Sequence, residues 1–194
     1  MGGDLLPFSC FGLLEMEFMR VVPVLGAYAI TASLAGCAAM EVKPYQPAPE
    51  GVAIVKNQHG SYSVESIRIT KLGQKAGADA LQFCFAQNVP GISGAPLFNP
   101  SKTRITVQGK DQVTFIVPMT MGTPLAYEMA FSLTQTQSAD AQTYVFTNLK
   151  VRGTWTANEA PLPGTREANQ YVDSARAKAD SISTAITNCL ASEV

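Results

Sequence analysis

Leu125-Ala126-Tyr127-Glu128-Met129-Ala130-Phe131-Ser132-Leu133 places a large apolar residue at every second position and a small or polar one between each pair. Successive side chains of a strand point to opposite faces, so the stretch predicts a long antiparallel strand with one buried and one wet face. Gln135 to Ala141 is polar and turn-like. Gln142 to Trp155 then returns with β-branched and aromatic residues, which predicts that the two runs form a long hairpin. Upstream, Thr103 to Gln108 and Gln112 to Met119 carry Ile105, Val107, Val113, Phe115 and Val117 on either side of Gly109-Lys110-Asp111, the pattern of a second hairpin. Val52 to Lys56, Tyr62 to Thr70 and Leu81 to Gln87 add three candidate strands. Asn88 to Lys102, with Pro90, Gly91, Gly94, Pro96 and Pro100, reads as a long irregular loop.

Beyond Pro161-Leu162-Pro163-Gly164 the period changes. Ala168, Tyr171, Val172, Ala175, Ala179, Ile182, Ile186, Cys189 and Leu190 recur at helical spacings and line one side of a helix of about seven turns. Thr165 is placed to cap it and Glu167 to meet its positive end, while Arg166, Asp173, Arg176, Lys178 and Asp180 fall on the other side. One apolar face needs one partner surface. The expected fold is therefore α+β, an antiparallel sheet of about six to seven strands with a long C-terminal helix packed on one face.

Ahead of this domain, Arg20 precedes the apolar run Val21 to Ala35, which ends in Leu34-Ala35-Gly36-Cys37. A positive residue, a short apolar core and small residues before a cysteine resemble the signal peptide and lipobox of bacterial lipoproteins. The resemblance implies that Cys37 is the lipidated first residue of the mature protein. Ala38, standing where an aspartate would favour retention in the inner membrane, implies the periplasmic face of the outer membrane. The run is shorter than the ~20 residues of a membrane span, and Pro23 and Gly26 interrupt it. Asp4, Glu15 and Glu17 place acids ahead of the apolar core, against the usual charge of a leader. This reads 1–18 as a mis-called extension with Met19 as the start; a longer leader from Met1 yields the same Cys37. The expected organisation is thus 1–18 extension, 19–36 signal peptide, 37–50 lipidated cysteine and tether, and 51–194 a single domain. Pro44, Pro47 and Pro49 predict an extended, polyproline-like tether that holds the domain off the bilayer, or else a proline-rich lead-in packed on the domain.

With 14 Lys and Arg against 15 Asp and Glu and no basic cluster, the chain lacks the charge of a nucleic-acid binder. Membrane association is expected through the lipid, two or more acyl chains being needed for stable anchoring. Setting aside Cys10 and Cys37 leaves Cys84 and Cys189, an even pair suited to a disulfide in an oxidising compartment, or else two buried thiols. Two thiols and the single His59 lack the close spacing of a structural zinc site, so no metal or cofactor is expected.

Catalytic parts are hard to assemble. His59 lies in the turn-like Asn57-Gln58-His59-Gly60, and Ser93 in Gly91-Ile92-Ser93-Gly94 lacks the spacing of a nucleophile elbow. Glu65 and Glu128 sit in separate strands with nothing to join them as a glycosidase pair. The expectation is a protein without catalytic residues, an outer-membrane lipoprotein that binds an envelope protein or cell-wall partner or supports assembly. Two alternatives remain: a carrier holding an apolar ligand between sheet and helix, in outline similar to helix-grip folds, and a lipid or glycan hydrolase working through His59 or paired acids.

Overall fold

The computed structural model describes residues 42–58, 60–116, 124–153 and 158–193. The extension, the signal peptide, Cys37 and His59 lie outside the described residues. The alternating stretch forms β5 (Pro124–Gln137), which turns through Ser138 to Asp140 into β6 (Ala141–Gly153). The hairpin register pairs Leu133 with Phe146 and Gln137 with Gln142, and the Ser138 hydroxyl donates to the Ala141 carbonyl at 3.0 Å. Met129, Phe131 and Leu133 are buried as the alternation requires; Phe146 of β6 lies opposite Leu133 and edge-on to Phe131, and Tyr144 and Gln142 continue the buried face opposite Gln135 and Gln137. At Asn148, whose φ is 52°, β6 takes in an extra residue, so the buried positions resume at Leu149.

The second expected hairpin is instead one strand. β4 (Arg104–Ile116) runs straight through Gly109-Lys110-Asp111 and pairs with β5 over its whole length, from Arg104 opposite Thr136 to Ile116 opposite Pro124. Gly109 is there for space and not for a turn. A Cβ on it would stand 2.8 Å from both Phe131 and Val89, so the missing side chain lets those two close over the strand. Lys110 and Asp111 point to opposite faces, where each finds a counter-charge: Glu128 at 3.4 Å from Lys110, and Lys178 at 3.1 Å from Asp111.

The run Leu81 to Gln87, expected as a strand, lies in a helix, α1 (Ala78–Asn88). Its buried residues Leu81, Cys84 and Phe85 fall three and four apart, and no β-branched residue opposes the helix. The expected loop after it holds β3 (Ser93–Phe98), with Gly91 and Gly94 at φ of 53° and 78° making the bends. β3 pairs with β4 irregularly and carries Pro96 at the sheet edge, features that oppose pairing with another chain.

β1 (Val52–Lys56) and β2 (Tyr62–Leu72) form the remaining hairpin, and the antiparallel order is β1-β2-β6-β5-β4-β3. A two-residue strand, β7 (Ala160–Pro161), pairs with Val151 and Lys150 of β6, beyond the stretch of β6 that β2 occupies. The described residues belong to one compact unit.

α2 (Asn169–Ser192) covers one face of the sheet through Val172, Ala175, Ala179, Ile182, Ile186 and Leu190. This is the expected α+β arrangement. Thr165 precedes a 3-10 turn, Arg166–Ala168, and makes no side-chain cap bond, so the α-helix itself begins four residues later than Thr165. Cys84 is bonded to Cys189 across a Cα separation of 5.7 Å, tying α1 to α2 and not, as expected, a strand to α2.

The Pro-rich segment does not stand off the domain. From Lys43 on it lies along the 163–176 region: the Tyr45 N–H donates to the Gly164 carbonyl (2.9 Å), the Arg166 N–H to the Lys43 carbonyl (3.0 Å) and Arg176 Nε to the Glu50 carbonyl (2.9 Å). Proline lacks a donor, but the residues between the prolines keep theirs and the carbonyls remain, so such a segment can pair along one side.

Gly109→Ala should destabilise the domain by ~1–3 kcal/mol through overpacking against Phe131 and Val89, read as a lower denaturation midpoint with an unchanged slope. Reduction of Cys84–Cys189, or Cys84→Ser with Cys189→Ser, should cost up to ~4.7 kcal/mol in the chain-entropy picture of a closed loop of ~100 residues. Quantitative alkylation of both thiols in unreduced, denatured protein would show the bond absent.

Candidate functional site

A surface hollow of about 560 Å3 opens where the N-terminal arm meets the sheet. Its walls include Val42 of the arm, Asn57, Ser61 and Tyr62 of the β1–β2 turn, and Pro161, Pro163 and Glu167 of the segment leading into α2. The turn is braced by its own bonds: the Asn57 N–H donates to the Ser61 carbonyl at 2.8 Å, the Ser61 N–H to Asn57 Oδ1 at 2.9 Å, and Gly60 takes a φ of 80°. Pro161 to Gly164 is held between β6 and β2, the Leu162 N–H donating to the Leu149 carbonyl, Val64 to Leu162 and Gly164 to Tyr62, each at 2.9 Å. Lys56 Nζ stands 5.7 Å from the centre of the Tyr62 ring, within cation–π range. The hollow is mixed in character, with aromatic, proline and valine surface beside hydroxyl and amide groups. It has the size of a small-ligand site, ~300–1,000 Å3, but it is a groove at the end of the sheet and not a chamber between sheet and helix.

A second feature lies on the uncovered face of the sheet. Glu128 receives Arg152 at 2.8 Å and Lys110 at 3.4 Å, and Glu159 sits 3.7 Å from Lys110 and 3.6 Å from Lys150. Each charge in this chain is partly exposed and already faces an opposite one. Glu65 is not part of it. β6 separates its strand from that of Glu128, and at ~4.8 Å per strand and ~3.3 Å per residue the two backbones are roughly 14 Å apart. Ser93 is exposed on the edge strand β3 opposite Gln108, with no helix following it to form an elbow. Among the described residues no three acidic, cysteine or histidine side chains converge as a metal site would require.

The residues that sequence reading passed over are buried and polar. At the end of the sheet away from the groove, Gln137 pins Ala76 twice, accepting its N–H at 2.6 Å and donating to its carbonyl at 3.2 Å, and Gln142 donates to the Gln74 carbonyl at 3.0 Å. The Tyr144 hydroxyl donates to Gln142 Oε1 at 2.7 Å and lies 2.9 Å from the Thr187 hydroxyl. Gln135, fully buried beside them, has no partner for either end of its amide. The alternation itself was the available signal, since Gln135 and Gln137 continue the buried parity of Leu133.

Burial pushes the Tyr144 hydroxyl up from the ordinary 10 to about 12, with the Thr187 hydrogen bond acting the other way. Burial likewise raises Tyr171 to about 12, helped by the Tyr127 hydroxyl, to which it donates at 3.1 Å. The folded state thus prefers the protonated phenols. Their contribution is complete below pH 10 and lost as pH rises towards 12. Alkaline unfolding should therefore begin above pH 10, and Tyr144→Phe should make denaturation midpoints between pH 10 and 12 less steep in pH, at some loss of stability at neutral pH from the abandoned Gln142 bond.

No protein-family model and no curated protein matches the chain. Among solved structures, the crystal structure of a DUF4468 family protein from Bacteroides ovatus is similar, with a TM-score of 0.50 at 10% identity over 74% of this chain and 92% of that one. At that identity the likeness is one of fold.

Proposed function

We propose that this chain is an envelope lipoprotein, led out by the signal at 19–36, lipidated on Cys37 and held at the periplasmic face of the outer membrane, where its domain acts by binding and not by catalysis. The observation that carries the compartment is the Cys84–Cys189 bond: structural disulfides form and persist in oxidising surroundings, which suits a secreted or periplasmic domain. No helix among the described residues is long and apolar enough to cross a membrane, so the lipid on Cys37 is the attachment that this reading requires.

Two observations support binding as the mode of action. The layer between sheet and α2 is filled by Ile67, Met129, Leu133 and Phe146 from the sheet and by Val172, Ile182 and Ile186 from the helix, which favours recognition at the exterior over a ligand carried inside. The acids considered for hydrolysis are apart, and Glu128 is engaged by Arg152. An envelope protein or a cell-wall polymer is the class of partner that this position would offer.

The intact mass of the protein from membranes should be that of a chain beginning at Cys37 with added diacylglyceryl and acyl groups, and Cys37→Ala should move the protein out of the outer-membrane fraction. His59→Ala should leave phenotype and abundance unchanged. An unprocessed chain, or unchanged fractionation of Cys37→Ala, would overturn the anchor; a null phenotype of a folded, correctly placed His59→Ala protein would overturn the non-catalytic reading.

A further inference from the structure

We infer that the groove beside the N-terminal arm is a docking surface for the phospholipid bilayer, so that the domain rests on the membrane by this end instead of hanging from it on a tether. The inference rests on the lipid-anchored reading and goes beyond it by naming the face that meets the membrane. The first argument is one of length. Because the arm is bonded to the domain from Lys43 onward, the span between Cys37 and the domain is not the whole 37–50 segment but the five steps to Val42. At ~3.3–3.6 Å per residue those steps reach no more than about 18 Å. Val42 is itself a wall of the groove, so the groove lies within that reach of a lipid on Cys37. The opposite end of the sheet, at the turn after β5, is farther by the length of that strand, 14 residues or about 45 Å.

The second argument is surface chemistry. Val42, 46% exposed, shares the groove wall with Tyr62 and Pro161. Ile116, 57% exposed, lies at the same end of the sheet but outside the groove, on β4, three strands from β2. Amphipathic rings and aliphatic groups of this kind favour the bilayer interface over water. The one charged side chain in the groove wall is Glu167, while the exposed cations Lys43, Lys56 and Arg166 are sequence neighbours of the lining residues Val42, Asn57 and Thr165 and stand at its margin, where phosphate headgroups would meet them. The preferred occupant is therefore the glycerophospholipid surface in which the anchor is embedded, with headgroups against the cations and the glycerol and upper acyl region against Val42, Tyr62 and Pro161.

The native lipidated protein, reconstituted in vesicles of phosphatidylethanolamine and phosphatidylglycerol doped with a headgroup-photoreactive phosphatidylethanolamine, tests this without altering the chain. Illumination and peptide mapping should place adducts on Val42, Tyr62 and Pro161 and leave the Ser138–Asp140 turn at least tenfold poorer. Adducts confined to 37–41, or spread equally to the Ser138–Asp140 turn, would overturn the docking surface while leaving the anchor intact. Val42→Asp combined with Pro161→Asp, both exposed, should lower the Tyr62 adduct at least fivefold in a protein whose mass still shows the lipid and whose circular dichroism is unchanged; an undiminished yield overturns the proposal. A mass without lipid on Cys37 would instead remove the anchored reading itself, and the docking surface with it.

Discussion

The burial of one helical stripe against one sheet face governs the rest of this structure. Val172, Ala175, Ala179, Ile182, Ile186 and Leu190 must be covered along the whole of a 24-residue helix, and only strands longer than usual can do it. This is why β4, β5 and β6 run to 13 or 14 residues and why β4 cannot break at Gly109. A turn there would remove half of the surface on which the helix lies. The alanines at 175 and 179 let the helix axis approach the sheet. Where the apolar stripe ends, ion pairs from Lys71 to Asp180 and from Asp111 to Lys178 carry the contact to the edge of the layer.

The far end of the core is built differently. Gln137 and Gln142 replace the missing backbone partners of the 74–76 segment, and Tyr144 and Thr187 close the chain of hydrogen bonds from sheet to helix. Such a network is stabilising only when every member is satisfied. Gln135, buried opposite Tyr144 beside this network, has no protein partner at either amide end.

Much of the architecture was legible because side-chain period is a direct physical record of burial. The β5–β6 hairpin and α2 followed from it, and the pairing of the two spare cysteines followed from their count. The failure at Gly109-Lys110-Asp111 came from letting turn chemistry outweigh parity: Ile105, Val107, Gly109, Asp111 and Val113 are all odd-numbered, as one unbroken strand demands. In α1 the apolar run was too short to decide, and the three-and-four spacing of Leu81, Cys84 and Phe85 was the clue left unused. The groove was not legible at all. Val42, Tyr62, Pro161 and Glu167 come from three separated stretches with no shared motif, and they meet only because β7 and the arm both close on the β1–β2 end.

Cys84 and Cys189 are 105 positions apart, and the chain between them holds β3, β4, β5, β6, β7 and most of α2. The bond therefore cannot close on a partial product of synthesis. A chain that stops before α2 presents Cys84 without its partner, on a helix that also lacks the surface it packs against. An accessible thiol at that position is in effect a chemical flag of an unfinished molecule, erased by the same contact that completes the core.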